Sequence, residues 1–364
     1  MSVSTLSPVP PRTSNAIPRQ SRPLIWALTS DHTGDNAQAL ALAEELGLPF
    51  EVKSLFYTWR KRLPGNDGRA SLFSLDRRSL GQIAPPWPDL IIMVGPRSQP
   101  IGRYVRKASG GRTRLVLIGR PRAPASEFDL IFDSRQYLLP DAPNVRLLPL
   151  LMSRYRAGLE PTDQERARLS AFPRPRLLLM IGGPIRYWDV SPRHIARIVQ
   201  QLLKRAATLG GSLIVTGSPR TPPKVLDRVR KELGPVPNAC LIEDMPRFQV
   251  LLEDADELFP TADSVCMISE SVITGKPVGI IPPERTLRGR IVLGPESRMA
   301  WNPCRDLRRF WRFLLDERLA GSIDEPVRGK AANPVTAAAE QVRELLRDRN
   351  SMNASSLSMR VSGD

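Results

Sequence analysis

Short apolar runs of four to six residues recur along this chain. Between them lie longer stretches in which apolar positions return every three or four residues. That alternation predicts strands of a parallel sheet joined by helices packed on its faces. In the first half, residues 24–29, 50–55, 90–94, 114–118 and 130–132 read as strands, and 36–46 and 98–108 as helices. The stretch 64–88 is polar, broken by Gly and Pro, and reads as irregular. After a helical pattern at 161–169, Phe172-Pro-Arg-Pro-Arg176 has the composition of a stiff linker.

A second series then begins. Residues 177–181, 212–216, 239–242, 257–260 and 278–281 read as strands. A helix over 191–209 has Ser191 as its cap, Pro192 at its first position and Gly210 at its end. An Ala/Glu/Arg-rich helix follows at 336–349. The expected fold is therefore α/β, with two Rossmann-like, doubly wound domains facing each other across a cleft. Residues 1–22 would be a disordered tail, 23–170 the first domain, 171–330 the second, 331–349 a C-terminal helix and 350–364 a second disordered tail. Parallel sheets bind ligands beyond the carboxyl ends of their strands, so the cleft is the expected site.

The loop after the first strand, Thr29-Ser-Asp-His-Thr-Gly-Asp-Asn36, holds Asp31, His32 and Asp35 at such an address. Any of the three could take a proton from an acceptor hydroxyl. Equally, Asp35 or Asn36 could simply cap the helix. In the second series, Leu179-Met-Ile-Gly-Gly-Pro184 puts Gly182 and Gly183 where backbone can approach a ligand closely. Thr216-Gly-Ser-Pro-Arg-Thr-Pro222 offers Ser218 and Thr221 hydroxyls and holds Arg220 where it could clamp a diphosphate. Glu243-Asp-Met-Pro246 has backbone that could read a base edge.

The segment with most content is Thr261-Ala-Asp-Ser-Val-Cys-Met-Ile-Ser-Glu270, which closes with Thr274-Gly-Lys-Pro277. It reads as strand, turn, helix and stop. Ser264 stands at the cap and Gly275 in the left-handed closing position. A helix start beyond a sheet edge presents unpaired N–H groups to an anion. Glu270, a little under two turns on, could accept hydrogen bonds from ribose hydroxyls.

Charge sharpens the picture. The 364 residues carry 53 Lys and Arg against 37 Asp and Glu, a net +16. An anionic partner is favoured: a phosphorylated substrate, acidic lipid or nucleic acid. The segment Phe56-Tyr-Thr-Trp59-Arg60-Lys61-Arg62 mixes aromatic and basic residues as an anionic membrane surface requires. A second such segment, Arg308-Arg-Phe-Trp-Arg-Phe-Leu314, reads better as core with a solvated face. No nucleic-acid module accompanies either, so nucleic acid is the unlikely partner. Cys240, Cys266 and Cys304 form no metal-ligand spacing with His32 and His194, and Asp254-Ala-Asp256 precedes its strand and reads as solvated charge. No metal site and no cofactor are expected. The sequence contains no run of ~18 apolar residues and no P-loop or GxGxxG motif. The expected location is cytoplasmic, peripheral at the inner membrane face.

Four motifs, Ser30-Asp-His-Thr-Gly-Asp-Asn-Ala-Gln38, Pro88-Asp-Leu-Ile-Ile-Met-Val-Gly-Pro-Arg-Ser98, Gly217-Ser-Pro-Arg-Thr-Pro222 and the Thr261–Pro277 segment, together resemble the mitochondrial fission ELM family. Its bacterial members are regarded as glycosyltransferases. The layout is also similar to GT-B glycosyltransferases such as the lipid II-forming enzyme. The resemblance implies a nucleotide-sugar donor as substrate, with Ser264, Ser269 and Arg220 contacting its phosphates and Ser218, Thr221 and Thr261 among the donor-binding residues. It implies Glu270 on the ribose, Met245 near the base, Gly182 and Gly183 beside the cleft, and Asp31 or His32 toward a saccharide or lipid-linked acceptor. Where family members carry an acidic residue and a His-Asp pair, this chain has Gly119-Arg-Pro-Arg122 and Arg135-Gln136. Two other activities fit the same fold: a nucleotide-sugar epimerase, and a non-enzymatic adaptor in membrane or organelle dynamics.

Overall fold

A computed structural model describes residues 22–31, 33–62, 69–234 and 236–361 of the chain. The first unit is built from β1 (Ile25–Thr29), α1 (Thr33–Glu45), β2 (Phe50–Ser54), α2 (Arg77–Gln82), β3 (Leu90–Val94), α3 (Gly95–Ala108), β4 (Arg114–Ile118), β5 (Leu130–Asp133) and β6 (Val145–Leu147). Its six strands are all parallel, in the order β2-β1-β3-β4-β5-β6. Successive strand residues alternate between the two faces. Ile25, Ile92 and Phe132 pack toward α1, while Trp26, Met93 and Ile131 pack toward Ile101 and Val105 of α3. Both faces are buried, as parallel sheets require.

The second unit holds α4 (Asp163–Ser170), β7 (Arg176–Ile181), β8 (Trp188–Asp189), α5 (Pro192–Thr208), β9 (Ser212–Gly217), α6 (Pro223–Leu233), β10 (Ala239–Ile242), α7 (Phe248–Asp254), β11 (Glu257–Pro260), α8 (Val265–Ile273), β12 (Glu284–Arg285), α9 (Leu287–Leu293) and α10 (Leu307–Asp316). Its main sheet is parallel with order β10-β9-β7-β11, and β8 pairs with β12 antiparallel. The last element is α11 (Pro334–Val361). Strand order reverses between β1 and β3 in the first unit and between β7 and β11 in the second. Crevices form at such switch points, and these two open toward each other.

Helix stops follow the sequence pattern: Gly210 has φ +69° and Gly275 φ +70° beyond α5 and α8, a region that disfavours side chains with a Cβ. Ser191 caps α5 by accepting the His194 N–H at 3.2 Å.

Several expectations need correction. Residues 278–281 are extended but form no regular strand. The Gly279 and Ile281 N–H groups reach β11, whereas those of Val278 and Ile280 reach Val327 and Gly321, so the segment is shared between two neighbours. The three-residue β6 and the six-residue α2 carry too short a pattern to register in the sequence. Helix α1 begins at Thr33, so Asp35 lies in its first turn instead of capping it. Asn36 instead latches the preceding loop, bonding Ser30 N–H and C=O at 2.7 Å each.

The segment expected to be a linker is fixed to the second unit. Arg174 reaches Asp256 at 2.6 Å and Asp254 at 2.8 Å, and Arg176 reaches Asp254 at 2.7 Å. Asp254 and Asp256 are thus half of an ion-pair cluster and not solvated charge. The true crossing lies earlier. Leu148 and Met152 pack in the first unit, Leu150, Leu151 and Tyr155 in the second. Helix α4 follows the second unit, where Glu165 is held by Arg247 at 2.7 Å. Helix α11 returns to the first unit, burying Val335, Ala338, Ala339 and Val342 beside Leu42 and Leu46. It continues to Val361, past the expected start of a tail at 350, because no Gly or Pro intervenes before Gly363. The expected N-terminal tail, apart from Arg22, lies outside the described residues.

Candidate active site

At the second switch point the chain makes three tight turns, after β7, β9 and β11, and one carboxylate ties them together. Asp263 has only 2% of its surface exposed. Its Oδ1 accepts the Thr261 hydroxyl at 2.7 Å, and its Oδ2 accepts the Gly183 N–H at 3.0 Å and Arg220 Nη2 at 3.0 Å. Arg220 Nη1 also donates to the Gly183 carbonyl at 3.2 Å. Both glycines are required for this closeness. A Cβ on Gly182 would lie 2.2 Å from Asp263 Oδ2, and one on Gly183 would lie 2.1 Å from the Arg220 carbonyl oxygen. The guanidinium is thereby held at the wall of a cleft of about 790 Å³ between the units.

This geometry sorts the expected donor residues. Arg220, Ser218 and Ser264 line the cleft. Ser264 sits at the N-cap of α8, but its hydroxyl makes no capping bond, contrary to expectation. Thr261 and Thr221 do not face a ligand. The Thr261 hydroxyl accepts the Gly182 N–H at 2.7 Å while donating to Asp263. The Thr221 hydroxyl accepts the Ser218 N–H at 2.8 Å and bonds the Ile181 and Gly182 carbonyls at 2.7 Å. Both organise the turns. Ser269 is fully buried, with its Oγ accepting the Leu151 N–H at 2.9 Å. It faces the interdomain crossing, because five residues along a helix turn it roughly 140° away from the start. Gly182 and Gly183 lie beneath Arg220, supporting the cleft wall.

A side pocket of about 310 Å³ opens from the same wall, sharing Ser218 and Pro219 with the cleft. Met180, Ile242, Phe248 and Met267 make it apolar, and Asp244 and Pro246 form its rim. Met245 lies between those two rim residues in the chain but does not itself line the pocket. Met267 and Glu270 are three residues apart and share one side of α8. Burial pushes the Glu270 carboxyl up to about 7, against support of its charge by the Ser153 side chain. Trp311 of α10 donates its indole N–H to the Ala262 carbonyl at 2.9 Å and stacks edge-on with Trp188. The second aromatic–basic segment is therefore core, as expected, and it buttresses the turn into α8.

The first unit supplies the opposite wall. Asp31 is exposed, 3.5 Å from Arg97, and Asp35 lies between the cleft and a recess at the β1–β3 switch point. His32 lies outside the described residues. Three cleft arginines, Arg120, Arg122 and Arg305, have no carboxylate within ion-pair distance among the described residues. Arg305 instead donates from Nε to Gln136 Oε1 at 2.7 Å, and Arg120 donates to the Pro303 carbonyl at 2.5 Å. Two functional-looking residues escaped the sequence reading, Asp263 and Asp133. Each follows or ends a β-strand at its carboxyl end, which was the available signal. Burial holds the Cys266 thiol protonated, pushing it up to about 12. No metal-competent cluster of His, Cys, Asp and Glu occurs among the described residues.

Farther away, Trp59 opens a 3-10 turn, Trp59–Arg62, and is 69% exposed, near the half-exposed Phe56 and Phe73. Arg60 lies over the Phe73 ring at 4.8 Å. The side chains of Lys61 and Arg62 lie outside the described residues. No described helix is long and apolar enough to cross a membrane.

A sequence model of the family described as mitochondrial fission ELM1 matches residues 33–345. The mitochondrial fission protein ELM1 of Arabidopsis thaliana is 25% identical over 248 residues, which span 60% of this chain and 58% of the plant protein. An uncharacterized protein of Rickettsia prowazekii is 23% identical over 305 residues, covering 71% of this chain and 83% of its own length. Among solved structures, a Listeria monocytogenes protein assigned as a UDP-N-acetylglucosamine 2-epimerase superposes with TM-score 0.53 at 14% identity, covering 91% of this chain and 98% of that one. UDP-GlcNAc 2-epimerase of Methanocaldococcus jannaschii gives 0.51 at 10% identity, covering 89% and 99%. The chain thus shares the fold of two Rossmann-like units facing across a cleft.

Proposed function

The chain belongs to the mitochondrial fission ELM1 family, and from that membership and the shape of the cleft we propose that it moves a sugar from a nucleotide-sugar donor to an acceptor hydroxyl. One observation carries the reading. An apolar pocket of about 310 Å³ opens into a cleft whose wall presents a helix start and a fixed guanidinium. That sequence of surfaces fits a base, a ribose and a diphosphate in order. The base enters against Phe248 and Met267, with the chain around Met245 at its edge. Glu270 takes the ribose hydroxyls. The diphosphate lies at the start of α8, where the first-turn N–H groups, the Ser264 hydroxyl and Arg220 meet its charge. The same groups stabilise the diphosphate as it departs, and preorganised charge of this kind is a large part of catalysis.

The acceptor enters from the first unit. Arg120, Arg122 and Arg305 suit a saccharide that itself carries phosphate, such as a lipid-linked one, and exposed Trp59 with Arg60 suits an anionic membrane surface at the cytoplasmic face. The two epimerases of like fold are named for UDP-N-acetylglucosamine, which makes UDP the first nucleotide to test. An epimerase would need proton-handling groups on both sides of the sugar. On the second unit the carboxylate at the cleft, Asp263, is committed to Thr261, Gly183 and Arg220, which favours transfer.

The test is calorimetric titration of the whole chain with UDP, GDP, ADP and their sugar conjugates. The expected result is saturable binding of one diphosphate, weakened at least tenfold in Arg220→Ala. Equal binding by that variant, or binding of none, would remove the donor-site reading.

A further inference from the structure

We propose that Asp133, at the carboxyl end of β5, is the general base that takes the acceptor hydroxyl's proton; this deepens the transfer reading and rests on it. Three observations carry it. Asp133 lines the interdomain cleft, on the wall opposite Arg220 and the start of α8. It is 98% buried, with 2% of its surface exposed. Its two oxygens are unequal. Oδ1 accepts the Ser134 N–H at 2.7 Å, whereas Oδ2 has no hydrogen-bond partner. A buried carboxylate oxygen without a partner costs free energy unless something occupies its lone pairs. In this place the available occupant is a hydroxyl bound in the cleft.

The surroundings hold the carboxylate without neutralising it. No Arg or Lys forms an ion pair with Asp133 among the described residues. The nearby Arg305 is turned to Gln136 Oε1 at 2.7 Å, and Gln136 in turn donates to Ser134 Oγ at 3.0 Å. The titratable and charged groups lining the same cleft are Tyr137 and Arg305 beside it, Asp31 and Asp35 near the start of α1, Arg120 and Arg122 after β4, Arg220 after β9, and Asp263 and Cys266 at the start of α8. Burial pushes the Asp133 carboxyl up to about 7, with the Ser134 N–H, Arg305 and Gln136 pulling the other way. A base titrating near working pH combines sufficient ionisation with proton affinity.

The step balances as a single displacement. The acceptor O–H proton passes to Asp133 Oδ2 while the acceptor oxygen forms its bond to the sugar's anomeric carbon. The bond from that carbon to the diphosphate oxygen breaks, and its electron pair leaves with the nucleoside diphosphate. With water in place of the acceptor, the same transfer of a proton to Oδ2 gives slow donor hydrolysis, which needs no knowledge of the acceptor. The product sugar has inverted configuration.

The experiment compares the wild-type chain with Asp133→Asn and Asp133→Glu. UDP binding is followed by calorimetry, and UDP release from a panel of UDP-sugars is followed from pH 5 to 9. Asn keeps the volume and stays neutral, and Glu keeps the charge in a displaced position. The expected result is UDP affinity within about twofold of wild type in both variants. UDP release should fall at least 100-fold in Asp133→Asn, with partial recovery in Asp133→Glu. The wild-type rate should rise with pH through about 7 and level above it, while the residual Asp133→Asn rate is flat. Equal release by wild type and Asp133→Asn would overturn the proposal and leave the donor-site reading standing. So would a wild-type chain that binds UDP but releases none from any UDP-sugar. Where the donor titration selects GDP or ADP, that nucleotide and its sugars replace UDP here, and failure of the wild type to bind any of the three diphosphates would overturn both.

Discussion

Arg220 and Asp263 meet at the second switch point with Nη2 3.0 Å from Oδ2, joining a half-exposed guanidinium to a carboxylate whose side chain has no exposed surface. The carboxylate in this pair serves two functions. Asp263 fixes the turn after β7 through Gly183 and the turn after β11 through Thr261, and the same oxygens orient the arginine toward the cleft.

Asp263→Asn therefore couples stability to binding. Breaking a buried ion pair from one side costs about 3–5 kcal/mol. The arginine here keeps solvent contact, so we expect about 2–3 kcal/mol, seen as a lower midpoint in thermal or urea unfolding. Gly183→Ala should behave alike, because its Cβ would lie 2.1 Å from the Arg220 carbonyl. Both variants should lose UDP affinity. Unchanged unfolding midpoints would show that the hub is dispensable.

Arg220→Ala separates the phosphates from the base. UDP affinity should fall about 10–100-fold, since a charge-assisted hydrogen bond contributes about 1.5–3 kcal/mol. Uridine affinity should not change, because the side pocket is intact. Competition measurements with uridine, UMP and UDP decide this, and an equal loss for uridine would count against the assignment.

Glu270 makes a prediction about pH. Its folded pKa, pushed up to about 7, lies above the value of about 4.5 expected when unfolded. The folded state thus binds the proton more tightly. Its stabilising contribution is complete below pH 4.5 and is lost as pH rises through about 7. Glu270→Gln should flatten that part of the stability–pH curve and raise stability at pH 8 by about 2–3 kcal/mol. The same variant should lose nucleotide affinity through the ribose. Parallel pH profiles for wild type and variant would contradict the first expectation.

Trp59 tests the membrane surface. The chain should sediment with vesicles containing a third anionic lipid and not with neutral ones, and raising salt from 0.05 to 0.5 M should release it. Trp59→Ala should weaken sedimentation several-fold, while UDP binding stays unchanged. Binding that ignores lipid charge would rule out the electrostatic part.

Much of the fold was readable in the chain, for reasons that particular residues show. Leu90–Val94 and, after Arg114, residues 115–118 are uninterrupted apolar runs because both faces of their sheet are buried. Gly210 and Gly275 end helices because the left-handed turn is local. The site was readable only as addresses. Arg220, Ser218 and Ser264 stand at strand ends and do line the cleft. Ser269 and Thr261 stand within the same motif and are buried, one against Leu151 and the other against Asp263. A motif gives spacing along the chain, but not which face of its helix meets solvent.

What the sequence determined by itself is whatever depends on neighbours a few residues away: periodicity, caps, stops, and the order of strands and helices that makes two parallel sheets. Tertiary structure decided the rest. It joined Asp263 to Arg220 across 43 residues, moved the interdomain crossing to residues 148–155, and brought α11 back onto the first unit. It also left Asp133 buried at the cleft with one unpartnered oxygen. The physical reason is common to all four. Burial and electrostatic environment are set by groups distant in sequence, and a side chain's chemistry follows from its environment more than from its letter.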